Sequence, residues 1–149
     1  MAHHSRMADE LERVWKGDAD GEAFHGPAWR TVLSRVDAAT AARRPMPTVG
    51  HSIHEIAAHV LAWREQVLAK VEGRQAPALR DDGWIRLEAP DAADWAALRA
   101  RLEASEDAIL AALRAGRGSD AATQDLVRFL LHHDLHHGGQ IALLASTPR

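Results

Sequence analysis

Glycine and proline fall almost entirely between the stretches in which apolar residues recur at helical spacing, and this punctuation limits the chain to helices joined by short breaks. Ala and Leu are abundant and β-branched residues sparse, and no stretch alternates apolar with polar residues as a half-buried strand would. The expected fold is all-α, with four main helices, and no internal repeat or domain boundary divides residues 1–149.

The first helical region, residues 8–42, is expected to be broken, because Gly17, Gly21, Gly26 and Pro27 interrupt it before a second start near Ala28. Trp15, Trp29, Leu33 and Val36 are its expected core contacts. Pro45 and Pro47 make residues 43–51 a connector. Ser52 with Glu55 has the form of a capping box, and Ile53, Ile56, Val60, Trp63, Val67 and Val71 follow at helical spacing until Gly73 closes the helix. Residues 74–90 have no helical pattern and are expected to edge a pocket. A third helix is read over residues 91–115, with Trp95, Leu98, Leu102, Ile109 and Leu113 inward, and Gly116 to Gly118 as the turn after it. Ser119 or Asp120 then caps a last helix that reaches about Ala145.

A chain of 149 residues with 46% hydrophobic and 26% charged residues can bury one core and fold alone. It has no cysteine, so a disulfide, a thiolate nucleophile and any Cys-based metal site are excluded. Its formal charge of −3 gives no general attraction for phosphate backbones, so no nucleic-acid partner is expected. The first ten residues lack the apolar stretch of a signal peptide, and no run of about 18 apolar residues occurs, so a cytoplasmic location without membrane contact is expected.

Ten histidines are the outlying number, and the last helix carries two alternative i, i+4 pairs of them. At about 100° per residue, His133 and His137 lie within about 20° of Leu126 and straddle the stripe of Leu130, Ile141 and Leu144. His132 and His136 fall on its flank, where they are ordinary exposed polar residues. Two imidazoles one turn apart, with Cβ atoms roughly 5–6 Å apart, can reach one ion, but a bare HxxxH pair also fits satisfied core histidines or a solvated face. A metal needs a third ligand from elsewhere. On the helix that Ser52 caps, His59 borders the apolar face while His54 points away from it, which makes His59 the better candidate.

Gly138 and Gly139 inside the last helix each cost up to about 1 kcal/mol relative to Ala, so close approach of a partner helix or room for a ligand beside His137 is expected. Glu55 has two readings, an acceptor for His59 one turn on or simply the second half of the cap. Leu131 and Leu135 lie away from the core stripe. Their apolar character fits either an isologous dimer contact or cover from the broken first region.

The stretch Gly50-His51-Ser52-Ile53-His54-Glu55-Ile56-Ala57-Ala58-His59, then Trp63-Arg64, and the stretch His133-Asp134-Leu135-His136-His137-Gly138-Gly139-Gln140-Ile141 together resemble the DinB-like (DinB/YfiT) family of bacterial metalloenzymes. The resemblance covers nearly the whole chain and implies a four-helix bundle, usually dimeric, with one zinc or nickel ion. Its metal histidines match His59, His133 and His137. Where that family commonly has an aromatic residue before the last histidine, this chain has His136.

Three imidazoles around a divalent ion leave an open coordination position, the arrangement of a catalytic site. Family members that use bacillithiol or mycothiol imply a thiol S-transferase acting on an electrophile in detoxification or stress response, and a chain without cysteine must take its thiol as a cosubstrate. Two alternatives use the same ligands. One is metal-assisted hydrolysis; the other is a non-catalytic bundle closed by a fourth protein ligand, Glu55 or one of His3 and His4.

Overall fold

The computed structural model describes residues 2–46 and 50–147, with side chains from residue 6 onward. Six helices follow in order: α1 (Ala2–Lys16), α2 (Trp29–Leu33), α3 (Ala38–Ala42), α4 (Ile53–Val71), α5 (Ala92–Arg114) and α6 (Ala121–Ser146), with one 3₁₀ turn at Asp81–Gly83. No strand occurs among the described residues, and no helix is long and apolar enough to cross a membrane. The four long helices are α1, α4, α5 and α6. Both α1 and α4 pack against α5 and α6, so α1 and α4 sit across a diagonal.

The helix ends follow from local hydrogen bonding. Ser52 and Glu55 form a reciprocal capping box at α4, Asp91 and Asp94 form another at α5, and the Asp120 carboxylate accepts the Thr123 N–H at α6. Gly73, at φ +69, follows the last turn of α4. The first region departs from expectation at both ends. Its helix starts at Ala2 and not near residue 8, and the segment after Ala28 breaks again, because the Asp37 side chain accepts the Thr40 N–H and caps a separate turn. Trp15, Trp29, Leu33 and Val36 are all buried. Pro47 lies outside the described residues.

The core divides into two apolar clusters. One holds Trp15, Trp29, Ile56, Val60, Trp95, Leu102 and Ile141; the other holds Leu11, Val67, Val71, Ile109, Leu113, Val127 and Leu130. On α4, α5 and α6 a charged residue stands between the two sets: Arg64 between Val60 and Val67, Glu106 between Leu102 and Ile109, Asp134 between Leu130 and Ile141. All three are fully buried. Leu131 and Leu135 are partly buried against the chain's own core, and Leu135 lines an apolar cleft with Ala23, Pro27 and Trp29, so the broken first region does cover this face.

Gly138 shows why a glycine sits in α6. The Trp29 indole N–H donates to the Asp134 carbonyl at 2.9 Å, and a Cβ on Gly138 would lie 2.7 Å from that indole nitrogen. Trp29 is buried and stacked on Trp15, so it cannot swing aside. Gly139 faces open space. In urea denaturation Gly138→Ala is therefore expected to cost about 1–3 kcal/mol through overpacking. Gly139→Ala should gain up to about 1 kcal/mol from helix propensity. Equal effects at the two positions would contradict the close approach.

Candidate metal centre

Helices α4 and α6 bring three histidines to one point. One ring nitrogen from each of His59, His133 and His137 lies within 4.8 Å of one from each of the others, the only such group of ligating side chains among the described residues. Nε2 of His59 and Nε2 of His133 face each other at 3.0 Å. Tetrahedral zinc with Zn–N near 2.05 Å separates its imidazole nitrogens by about 3.3 Å, so this spacing is close to that of two ligands on one ion. His59 and His137 are buried, and the His133 side chain is 9% exposed.

The protonation pattern also fits a metal. The Gln140 side-chain oxygen, an acceptor, lies 2.6 Å from Nδ1 of His137; that nitrogen carries the proton and leaves Nε2 with a lone pair. Burial, followed by the charges of His133 and His137, pushes the His59 imidazole down to about 4. His137 is also lowered, chiefly by burial, with the Gln140 contact opposing. Both rings are therefore neutral near pH 7, the form that binds a cation. Nδ1 of His59 faces the Gly83 backbone without a hydrogen bond of normal geometry, and Nδ1 of His133 is also without one.

Aromatic rings wall the site. Trp84 stacks on His59 at 3.8 Å between centroids and 6° between planes, and His51 stacks on Trp84, also at 3.8 Å. Gly83 permits this approach: its φ is +81, and a Cβ there would lie 3.4 Å from Nδ1 of His59. The Trp63 indole N–H donates to the Asp82 carbonyl and ties the same strap to α4. On the other side, Trp63 and Phe129 pack at 5.0 Å, and Phe129 lies 5.3 Å from His133 with 41% of its surface exposed.

Beside the histidines runs the buried charged layer. Asp134 Oδ2 accepts from Arg64 Nε at 3.1 Å and Nη2 at 2.6 Å, and Glu106 lies 3.1 Å from Arg64 Nη1. The Arg64 guanidinium covers the Trp15 ring at 4.5 Å. The other Asp134 oxygen, without a hydrogen bond of its own, lies 3.9 Å from Nδ1 of His133. The layer thus reaches from α5 to the clustered histidines. Burial pushes the Glu106 carboxyl up to about 7 against the pull of Arg64. A carboxyl raised above its unfolded value near 4.5 adds stability below that value and loses it as pH rises through 7. Relative to Glu106→Gln, the wild type is expected to lose up to about 3 kcal/mol between pH 4.5 and 8. Parallel pH profiles for the two would refute this.

The remaining histidines and Glu55 have other places. His132 and His136 are exposed, on the flank of α6. His54 does not point into solvent: it is 4% exposed and packs against Trp95, because α4 is covered by α5 on one side and α6 on the other. Glu55 completes the cap, pairs with Arg44 and accepts the Leu87 N–H. These hydrogen bonds outweigh burial and hold its carboxyl down at about 2. It ties the connector and the 74–90 loop to α4 and is not among the clustered ligands. The side chains of His3 and His4 lie outside the described residues. Periodicity alone gives no role to Trp84, Phe129, Arg64, Asp134, Glu106 or Gln140, although a charged residue in core register marks Arg64, Glu106 and Asp134.

A family model described as the DinB superfamily matches residues 25–141, a span that includes all three clustered histidines. No curated protein and no solved structure gives a significant match.

Proposed function

The chain belongs to the DinB superfamily, and from that membership we propose that it is a metal-dependent transferase joining a low-molecular-weight thiol to an electrophile. The convergence of three histidines, with no fourth ligand in their group among the described residues, carries this assignment, since three protein ligands leave a position for a substrate. Imidazole donors suit Zn or Ni, whereas Mg and Ca prefer oxygen. An ion of that kind supplies the positive charge that keeps a coordinating thiol deprotonated.

The chain's own groups do the rest. Gln140 fixes the His137 tautomer, and Trp84 shields one face of His59 from water. Trp63 and Phe129 offer an apolar shoulder beside His133 on which the body of an electrophile can lie. With no cysteine in the chain, the sulfur comes from a cosubstrate of the bacillithiol or mycothiol type. A new S–C bond forms as the electrophilic carbon releases its leaving group with the bonding electrons, and the thiol proton passes to solvent. Such a reaction suits detoxification in the cytoplasm.

The test is thiol consumption by metal-loaded protein across several low-molecular-weight thiols and a panel of alkyl halides and epoxides. Turnover that needs both metal and thiol, and that is lost in His137→Ala, is expected. No consumption with any thiol would end the proposal, and product formed without thiol would favour metal-assisted hydrolysis at the same site.

A further inference from the structure

The face of α4 turned away from the metal histidines borders a second cavity. His54, Ala58, Leu61 and Glu65 follow one another at helical spacing along that face, and Leu98 of α5 closes the far wall around a volume of about 460 Å³. Ile85 and Leu87 roof it, and Ile85 is 50% exposed. The preceding residue of the same loop, Trp84, stacks on His59, so the loop straddles α4 with one residue on each site.

Two observations show what the cavity would accept. His54 lines it, 96% of that residue is buried, and its Nδ1 has no hydrogen-bond partner. Burial lowers its pKa, so the ring is neutral and one of its nitrogens keeps a lone pair able to accept a hydrogen bond. The rim is acidic: Arg101 is taken up by Glu65 at 2.5 Å, while Glu88 and Asp94 have no basic partner at ion-pair distance among the described residues. The apolar part is supplied by Leu61, Leu98, Ile85 and Leu87. A volume in this range is that of small-molecule sites.

We propose that this cavity is a binding site, separate from the metal centre, for a small organic cation: a primary amine carrying a short apolar or aromatic group. The ammonium sits toward Glu88 and Asp94 and donates to His54, and the apolar group lies between Leu61 and Leu98.

Calorimetric titration of the full chain with 2-phenylethylamine tests this, with the Trp95 and His54 ring resonances as a structural reporter. Saturable one-to-one binding that survives removal of metal by a chelator is expected. Glu88→Gln and Asp94→Asn should each weaken it about threefold, and the uncharged analogue 2-phenylethanol should bind roughly tenfold more weakly. Ala97→Trp, from an exposed rim position, should block the cavity and abolish binding while leaving metal content unchanged. Absence of saturable binding, equal affinity for the alcohol, indifference to the two acidic substitutions or to Ala97→Trp, or loss of binding with the chelator would each overturn the proposal.

Discussion

His59→Ala and His137→Ala are each expected to reduce bound metal from about one ion per chain to near zero, measured by elemental analysis of protein purified without an affinity tag. Each removes one of the three donors clustered among the described residues, and two imidazoles without a third do not hold a transition metal tightly at neutral pH. His132→Ala and His136→Ala remove exposed rings on the flank of α6 and should leave the content unchanged. Gln140→Leu should fall between these extremes, with affinity down by about 10- to 100-fold, because the His137 tautomer is no longer held. Circular dichroism separates loss of metal from loss of fold. A wild type without metal, or triad variants that retain it, would remove the metal centre.

The contrast among these variants depends on which histidines the sequence itself singles out, and the reason is physical. His133 and His137 share the register of Leu130 and Ile141, and a helix keeps register over many residues, so their inward direction is legible from spacing. His59 is legible on the same ground. Helix ends are equally so where a side chain caps them, as at Ser52, Asp91 and Asp120. His54 marks the limit of a one-stripe reading: α4 packs on both α5 and α6, so a residue opposite the main stripe is still buried. Trp84 marks another. Residues 74–90 have no period from which to infer direction, and the stacking of Trp84 on His59 is settled by a left-handed Gly83 and by Trp63 bonding to the Asp82 carbonyl. Leu131 and Leu135 were ambiguous because a helix wheel cannot show that an irregular segment returns to cover its outer face.

The charged layer was legible in principle, since Arg64, Glu106 and Asp134 each interrupt an apolar register, but not which partners they choose. Its position explains why it matters to the site. Asp134 is one residue from His133 and one turn from His137, its carbonyl accepts the Trp29 indole, and its carboxylate accepts two Arg64 donors. One residue thus fixes α6 against both α2 and α4 at the level where the histidines must converge. Ions buried this deeply are not net stabilisers compared with well-packed apolar residues, but they are costly to break and so hold one arrangement of the helices.

Asp134→Ala is accordingly expected to destabilise the protein by about 3–5 kcal/mol, because it leaves the Arg64 guanidinium, 0% exposed, with Glu106 as its one remaining ion-pair partner among the described residues. Alanine is the best helix former, so local propensity works against this loss and cannot cause it. Chelator-treated protein in urea is the proper system, since metal bound to the neighbouring His133 would add its own stabilisation to the folded state. The control is the combined replacement Arg64→Met, Asp134→Leu and Glu106→Leu, which removes the charges together; it should be far closer to the wild type than Asp134→Ala, or more stable than it. A single substitution costing under about 1 kcal/mol, or a combined variant as unstable as the single one, would mean that Asp134 acts through packing and not through the charge it neutralises.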